Sequence, residues 1–267
     1  ITWEDMPFRT NPSPESKEQK AMFPIEFPES VKLVAIIAPM GLGKSHTAME
    51  FLKCLLEDKP DARILFISNR IQQAHTFLSL LVDKHDLGFQ LYSELCGCLG
   101  DIARLVIQYE SINRLMPEQP PGGLRPYDLV VLDEARSVSG QVAVPKTNGD
   151  DFRDNANIYY AILKTAERVL MMDADLEADG MMHDLIESIW PARRNRRILR
   201  YTHIPLKRDL ALVNQSEFYA HIEQDLREGK KLMITFREKA ELKVFVKAKL
   251  EKLSINFLAV DGDTDAA

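Results

Sequence analysis

An α/β fold is predicted for this chain: a doubly wound parallel sheet with helices on both faces, followed by an incomplete second unit of the same kind. Three observations predict it. From about residue 31 onward, short apolar runs alternate with amphipathic helical stretches, the pattern of a parallel sheet covered by helices. The run Leu33-Val34-Ala35-Ile36-Ile37 leads into Ala38-Pro39-Met40-Gly41-Leu42-Gly43-Lys44-Ser45, and an amphipathic stretch from Thr47 to Leu56 follows. Strand, glycine-rich loop and helix is the context that a phosphate-binding loop needs. Third, Val130-Val131-Leu132 ends in Asp133-Glu134-Ala135-Arg136. An apolar strand of this kind delivers two acids at its C-terminal end, where open parallel sheets bind ligands.

The elements follow in order. Residues 1–30 are rich in proline (Pro7, Pro12, Pro14, Pro24, Pro28) and read as an irregular arm laid on the domain or a linker from a preceding one. After the glycine-rich loop, Arg63 to Ile67 reads as a strand and Ile71 to Leu81 as a helix. Arg104 to Gln108 reads as a strand, and Glu110 to Leu115 as a short helical turn. A Pro/Gly loop spans Pro117 to Pro126, and the acid-ended strand starts at Asp128. Phe152 to Lys164 is a helix, Arg168 to Met172 a strand and Leu176 to Ile189 a helix. Pro191 and the run Ala192-Arg193-Arg194-Asn195-Arg196-Arg197 interrupt the alternation. The pattern then restarts with a strand from Leu210 to Val213, a helix from Glu217 to Arg227 and a strand from Lys231 to Thr235. A helix from Glu238 to Leu253 and a strand from Ile255 to Val260 complete it. A domain boundary is expected near residues 195–205. That gives an arm over 1–30, a first domain over 31–200 and the start of a truncated second domain over 201–267.

Composition bounds the setting. The chain has 267 residues, 45% of them apolar and 28% charged, with a formal net charge of -6, which suits a globular protein. The balance carries no global basic signal for nucleic acid, so any DNA or RNA contact is expected to be a local groove. Cys54, Cys96 and Cys98 are too few for a disulfide framework, and Cys96-Gly97-Cys98 lacks the spacing of a zinc site. They read as buried or incidental thiols. No apolar stretch is long enough to cross a membrane and no signal-peptide pattern is present. The expectation is an intracellular setting without a membrane partner. The chain starts at Ile1 and stops just after an apolar run, as an excised piece of something larger would. His46, His75 and His183 lack metal-ligand spacing, and the pairs Met171-Met172 and Met181-Met182 read as core filler.

The chemistry follows from the residue types. Gly41 and Gly43 let the backbone curl so that successive N–H groups point inward. The positive end of the next helix adds to that anion site. Lys44 reaches the β- and γ-phosphates, and the Ser45 hydroxyl is a Mg²⁺ ligand. Pro39 to His46 (Pro39, Met40, Gly41, Leu42, Gly43, Lys44, Ser45, His46) would line the nucleotide. Asp133 would hold Mg²⁺, usually through water, and Glu134 would polarise the attacking water. ATP hydrolysis with Mg²⁺ is the expectation, and Lys44, Asp133 and Glu134 are its catalytic candidates. Two segments that start as apolar strands, Arg63 to Arg70 and Arg104 to Ser111, end in polar groups. Asp173-Ala174-Asp175 closes a third strand. In a doubly wound sheet these ends share one edge beside the nucleotide. Polar loops there could grip a phosphate backbone, although Ser68 and Ser111 would serve equally as helix caps.

In this order the segments resemble the superfamily 2 helicases, and more closely the herpesvirus-type replication-origin-binding helicases, whose relatives occur in other large DNA viruses. Ala38 to Ser45 resembles that family's motif I. Ile67-Ser68-Asn69-Arg70 resembles motif Ia, Gln108 to Leu115 motif Ib, and Leu132 to Ala135 motif II. Met172-Asp173-Ala174-Asp175-Leu176 resembles motif III, Lys231 to Arg237 motif IV, and Val260 to Thr264 the strand-turn after it. The resemblance runs from about residue 31 to the end.

It implies RecA-like domains, ATP and Mg²⁺ as cofactors, and a DNA helicase or translocase core. DNA is the expected partner, with RNA as a second track and other replication proteins as associates. The implied location is the nucleus or a viral replication site. Ser68, Arg70, Gln108, Ser111, Thr235 and Arg237 are the nucleic-acid candidates, and Asp173, Ala174 and Asp175 the coupling residues. Motif II departs from some helicases in reading Asp-Glu-Ala-Arg, no adenine-reading glutamine motif is evident upstream, and motifs V and VI would lie beyond residue 267. A phosphate-loop NTPase of another class, a small-molecule kinase or an assembly ATPase, is the alternative. The second strand-helix unit without its own phosphate loop favours the tandem helicase arrangement. A scaffold with a decayed site is a third reading, disfavoured by the intact Lys44, Ser45, Asp133 and Glu134.

Overall fold

A computed structural model describes residues 3–6, 9–11, 19–82, 85–116, 123–144, 151–176, 180–202, 214–230, 232, 234–235 and 239–250. The chain divides into two compact units, Ile1–Leu206 and Lys207–Ala267.

The first unit is built on an eight-stranded sheet. Its strands are β1 (Glu4–Asp5), β4 (Leu33–Ile37), β5 (Ile64–Ser68), β6 (Gln90–Leu91), β7 (Arg104–Gln108), β8 (Leu129–Asp133), β9 (Arg168–Asp173) and β10 (Arg196–Arg200). Two further strands, β2 (Arg9–Asn11) and β3 (Gln19–Ala21), form a separate antiparallel pair. The spatial order is β1-β10-β4-β9-β8-β5-β7-β6, and every pairing in it is parallel. Parallel strands need crossovers, so each central strand is covered on both faces. That is why β4 and β5 are buried along their whole length.

The crossovers are amphipathic helices, each of which buries one stripe. In α1 (Lys44–Asp58) the stripe is Ala48, Met49 and Leu52. In α2 (Ile71–Leu81) it is Ala74, Phe77 and Leu81. A six-residue helix α3 (Ala135–Gly140) follows β8. Two longer helices come after it: α4 (Phe152–Thr165), which buries Asn155, Tyr159, Ile162 and Leu163, and α5 (Gly180–Ile189), which buries Met182, Leu185 and Ile186. Tyr109–Leu115, after β7, is a 3-10 helix. A continuous apolar core joins sheet and helices.

The N-terminal arm and the basic run differ from expectation in a connected way. The arm is not irregular throughout: Glu4–Asp5 adds a strand to the sheet. Its partner is Arg196–Arg200, a strand that begins on the last two residues of the run expected to break the fold. Arg196, Arg197 and Arg200 conceal a strand whose buried residues are Ile198 and Leu199. Their charges are used locally. Arg197 makes a bidentate pair with Glu4 (3.1 and 2.8 Å), Arg200 a bidentate pair with Asp5 (2.6 and 3.1 Å), and Arg196 an ion pair with Glu187 (2.7 Å). Arg196 and Arg197, the last two residues of the basic run, are therefore salt-bridged at the surface. The carboxylates of these pairs are open to water, which screens the attraction.

The second unit contains α6 (Gln215–Arg227), opened by a capping box between Asn214 and Glu217, and α7 (Lys239–Phe245), which continues as a π-helical turn over Val246–Leu250. Ile222, Phe245 and Leu250 form its small core, with Tyr219 stacked on Phe245 at 5.6 Å. The strands expected at 210–213 and 255–260 lie outside the described residues, as do parts of 231–235 and 251–253. Among the described residues, no helix is long and apolar enough to cross a membrane.

Candidate nucleotide site at the carboxyl edge of the sheet

Because all eight strands of the sheet run the same way, their C-terminal ends share one edge. The register places Ile37 of β4 opposite Asp173 of β9, and Met172 opposite Asp133 of β8. The glycine-rich loop, the acid pair and the Asp173 turn therefore leave three adjacent strands.

The loop has the backbone that its glycines allow. Gly41 and Gly43 sit at φ 80° and 85°. A Cβ at either position would meet nothing within 4 Å, so the left-handed conformation, and not crowding, calls for glycine. Gly43 stands at the N-terminus of α1, where no side chain caps the helix and the first turn has no acid. The end of α1 is thus an uncapped cluster of N–H donors with a positive dipole. Lys44 donates to the carbonyl oxygens of Ala38 (2.6 Å) and Pro39 (3.2 Å). Burial pulls its pKa down, opposed by Asp133, Asp173, Glu134 and Asp175 in that order. Ser45 and Pro39 are half-buried, Leu42 is buried in the core, and Gly41, His46 and Met40 are exposed, Met40 at 85%.

Asp133 is half-buried at the end of β8. Burial pushes its carboxyl up to about 6. Glu134 and Asp173 push the same way, while a hydrogen bond from the Glu134 backbone and the Lys44 charge oppose them. Glu134 is exposed and has φ 52°, an unfavourable value for a residue with a Cβ and one that tends to occur at functional sites.

Asp173 ties the three segments together. Its backbone carbonyl accepts from the Ala38 N–H at 3.0 Å. One carboxylate oxygen accepts from the N–H groups of Ala174 (2.6 Å) and Asp175 (3.0 Å), and the other from Arg136 N–H at 2.9 Å. Ala174 is half-buried and Asp175 exposed. Asp173 thus serves its own turn with one oxygen and the start of α3 with the other.

The nucleic-acid candidates divide. Ser68 is buried, its Oγ 3.3 Å from the Arg70 carbonyl and 3.4 Å from that of Ile107. Gln108 is buried, accepts from Tyr92 OH at 2.8 Å and donates to Glu110. Both are thus engaged inside the fold. Arg70 is exposed at the start of α2 and Ser111 half-buried in the 3-10 turn. Thr235 is exposed in the second unit, and Arg237 lies outside the described residues.

Sequence reading missed the network under this edge. Asn155, fully buried on α4, donates to the Glu110 carbonyl at 3.2 Å and accepts from Asn113 N–H at 3.0 Å. The only signal was an amide at a buried position of the helical stripe. Burial also raises the Glu110 carboxyl. Arg114 is turned inward onto the carbonyls of Tyr92 (2.9 Å) and Leu95 (2.6 Å). The three cysteines are exposed, not buried, because Cys54 sits on the outer side of α1 and the other two in a surface loop. Met181 is likewise exposed, while Met171, Met172 and Met182 are core.

A magnesium–nucleotide fits the donor set. Mg²⁺ keeps most of its water and takes one or two protein oxygens plus phosphates, which a half-buried hydroxyl and a half-buried carboxylate can supply. Among the described residues no group of three or more His, Cys, Asp or Glu is arranged to hold a metal, and Mg²⁺ with a bound triphosphate needs none.

The fold is similar to two solved structures of the helicase MrfA. One has TM-score 0.53 and 11% identity, covering 84% of this chain and 36% of that one. The other, bound to DNA and AMPPNP, also has TM-score 0.53 and 11% identity and covers 80% and 33%. The class is therefore the RecA-like α/β fold of helicase cores. Residues 5–201 match the family described as origin of replication binding protein, and the chain belongs to that family. Among relatives, the replication origin-binding protein of varicella-zoster virus (strain Dumas) is 29% identical over 157 residues, 59% of this chain and 18% of that protein. The equine herpesvirus 1 (strain Ab4p) protein of the same name is 29% identical over 191 residues, 68% and 20%. A putative helicase/primase complex protein of African swine fever virus (isolate Pig/Kenya/KEN-50/1950) is 28% identical over 153 residues, 55% and 13%. The chain spans a fifth or less of these relatives' lengths.

Proposed function

We propose that this chain is the ATPase core of an ATP-dependent DNA helicase or translocase of the replication-origin-binding type, hydrolysing Mg–ATP to move on or unwind nucleic acid. The observation that supports it most is the meeting at one sheet edge of Lys44, on an uncapped helix N-terminus, with the carboxylates of Asp133, Glu134 and Asp173. In this reading residues 31–200 form the ATPase domain, 1–30 its arm and 201–267 the start of a second domain.

The residues divide the work. Loop N–H groups from Met40 to His46 hold the phosphates. Lys44 leaves its carbonyl partners and turns to the β- and γ-phosphates, where its charge offsets what develops in the transition state. Ser45 and Asp133 hold Mg²⁺, which neutralises phosphate charge when bound. Glu134, exposed at the end of β8, orients the attacking water and accepts its proton. Beyond Asp173, the Ala174-Asp175 end of the turn links this edge to whatever moves on hydrolysis. Arg70 and Ser111 remain available to nucleic acid, whereas Ser68 and Gln108 act from inside by shaping those loops. DNA is the partner, replication proteins the associates, and a viral replication compartment the setting.

The test is ATP turnover by the intact protein with and without single-stranded DNA, beside Lys44→Ala. Turnover stimulated by DNA and abolished in Lys44→Ala, with weakened nucleotide binding, is expected. A rate blind to nucleic acid would point to another class of NTPase, and a Lys44→Ala rate equal to the parent's would sink the phosphate-loop assignment.

A further inference from the structure

Glu134 has a backbone conformation that its own side chain does not favour. The chain leaves β8 at Asp133 and must reverse at once into α3, which begins at Ala135. Glu134 makes that reversal at φ 52°, ψ 50°, the left-handed region in which a Cβ crowds the carbonyl. A short helix does not impose such a geometry by itself, and no side chain of the reversal caps it: the Glu134 side chain makes no capping bond to α3. Such strain persists where the surroundings over-determine it.

The neighbouring strand supplies that constraint. Arg136 N–H is one of the orphan donors of the first turn of α3, and Asp173 on β9 accepts it at 2.9 Å. Asp173 cannot swing away, because its other oxygen is held by Ala174 and Asp175 N–H groups at 2.6 and 3.0 Å. Its backbone is fixed as well, by the Ala38 N–H bond to its carbonyl and by the β4–β9 register. One carboxylate thus anchors the chain two residues after Glu134 to the root of the glycine-rich loop.

We infer that Asp173 is a positioning residue for the hydrolysis step: by holding Arg136 N–H it fixes the left-handed turn that aims Glu134 at the attacking water. The inference rests on the ATPase reading above and goes beyond it. A pure coupling element leaves hydrolysis intact and loses motion, whereas a positioning residue loses both in proportion. Misplacing a catalytic group by about 1 Å costs on the order of 100-fold in rate, so release of this turn is felt mainly in kcat.

The experiment measures ATP turnover, ATP-analogue binding and strand unwinding for the intact parent protein, Asp173→Ala, Asp173→Asn, Glu134→Gln and the double variant Asp173→Ala/Glu134→Gln. Asp173→Ala is expected to lower kcat by about 10- to 100-fold, with KM for ATP and analogue affinity within about 2-fold and an unchanged ratio of unwinding to hydrolysis. Asp173→Asn keeps one acceptor oxygen and should recover part of the loss. In the Glu134→Gln background, removing Asp173 should add little, because a residue that acts through another gives a non-additive cycle. Parental kcat in a folded Asp173→Ala, or a full additive loss in the double variant, overturns the inference. So does a fall in unwinding alone. If Asp173→Ala does not fold, the Asn variant carries the same comparison. Failure of the ATPase reading itself would show separately, as an inactive parent or a Glu134→Gln variant that turns over normally.

Discussion

Replacing Asp133 by Asn should stabilise the nucleotide-free protein, by an amount that depends on pH. Burial, with help from Glu134 and Asp173, pushes the Asp133 carboxyl from 3.8 up to about 6, so the folded protein holds this proton more tightly than the unfolded chain does. Below pH 3.8 both states are protonated and the group does not discriminate between them. As pH rises from there to about 6, the unfolded chain ionises freely while the folded one resists. The parent loses stability across that window and keeps the loss above it. A shift of about two units at about 1.4 kcal/mol each sets a ceiling of about 3 kcal/mol. Water reaches part of the carboxyl, so about 1–3 kcal/mol is expected at neutral pH. The Asn variant cannot ionise and escapes the loss. Urea unfolding midpoints of parent and variant, without Mg²⁺ or nucleotide, should differ at about pH 5 by roughly half of what they differ by at about pH 8. Saturating Mg–nucleotide should narrow the gap, since a ligand at about 100 times its Kd stabilises the parent by about 2.7 kcal/mol and the variant by less. A pH-independent difference, or a variant less stable at about pH 8, would refute the reasoning.

Two other outcomes follow from the geometry. Glu134→Gln should bind Mg–nucleotide at near-parental affinity and lose turnover by about 10²- to 10⁴-fold; burst and steady-state kinetics with an independent binding titration check this, and parental turnover removes Glu134 from the role of base. Asn155→Ala should cost about 2–4 kcal/mol, because it strips partners from the Asn113 N–H and Glu110 carbonyl under α4. Chemical denaturation reads the loss, and a change under about 0.5 kcal/mol would mean that water replaces the amide.

Much of the sheet edge is legible in the sequence because its signals are local. Leu33–Ile37 must be a buried strand and the glycines after it must turn. Ile71–Leu81 repeats apolar residues at helical spacing and is a helix over that span. Belonging to the origin-binding family was likewise visible in motif order. That the strand ending at Asp173 lies beside the one ending at Asp133 was also expected; spacing could not show that β4 flanks it on the other side, which brings Asp173 to the root of the glycine-rich loop as well. Whether a polar side chain is exposed is also a property of the assembled sheet. Ser68 and Gln108 are register partners on adjacent strands, buried by what lies over them, although their types suggest contacts with a ligand.

The N-terminal strand and the basic run mark the same divide. Glu4–Asp5 is too short and too charged to announce a strand, and Arg196–Arg200 too basic to announce a core one. Arg196–Arg200 pairs along its length with Leu33–Ile37, and Glu4–Asp5 then adds to its free edge with opposite charge from nearly 200 residues away. Local composition determined which residues turn and which apolar stripes are buried. Long-range pairing, whose free energy exists only once the sheet has formed, decided which carboxylate holds which loop.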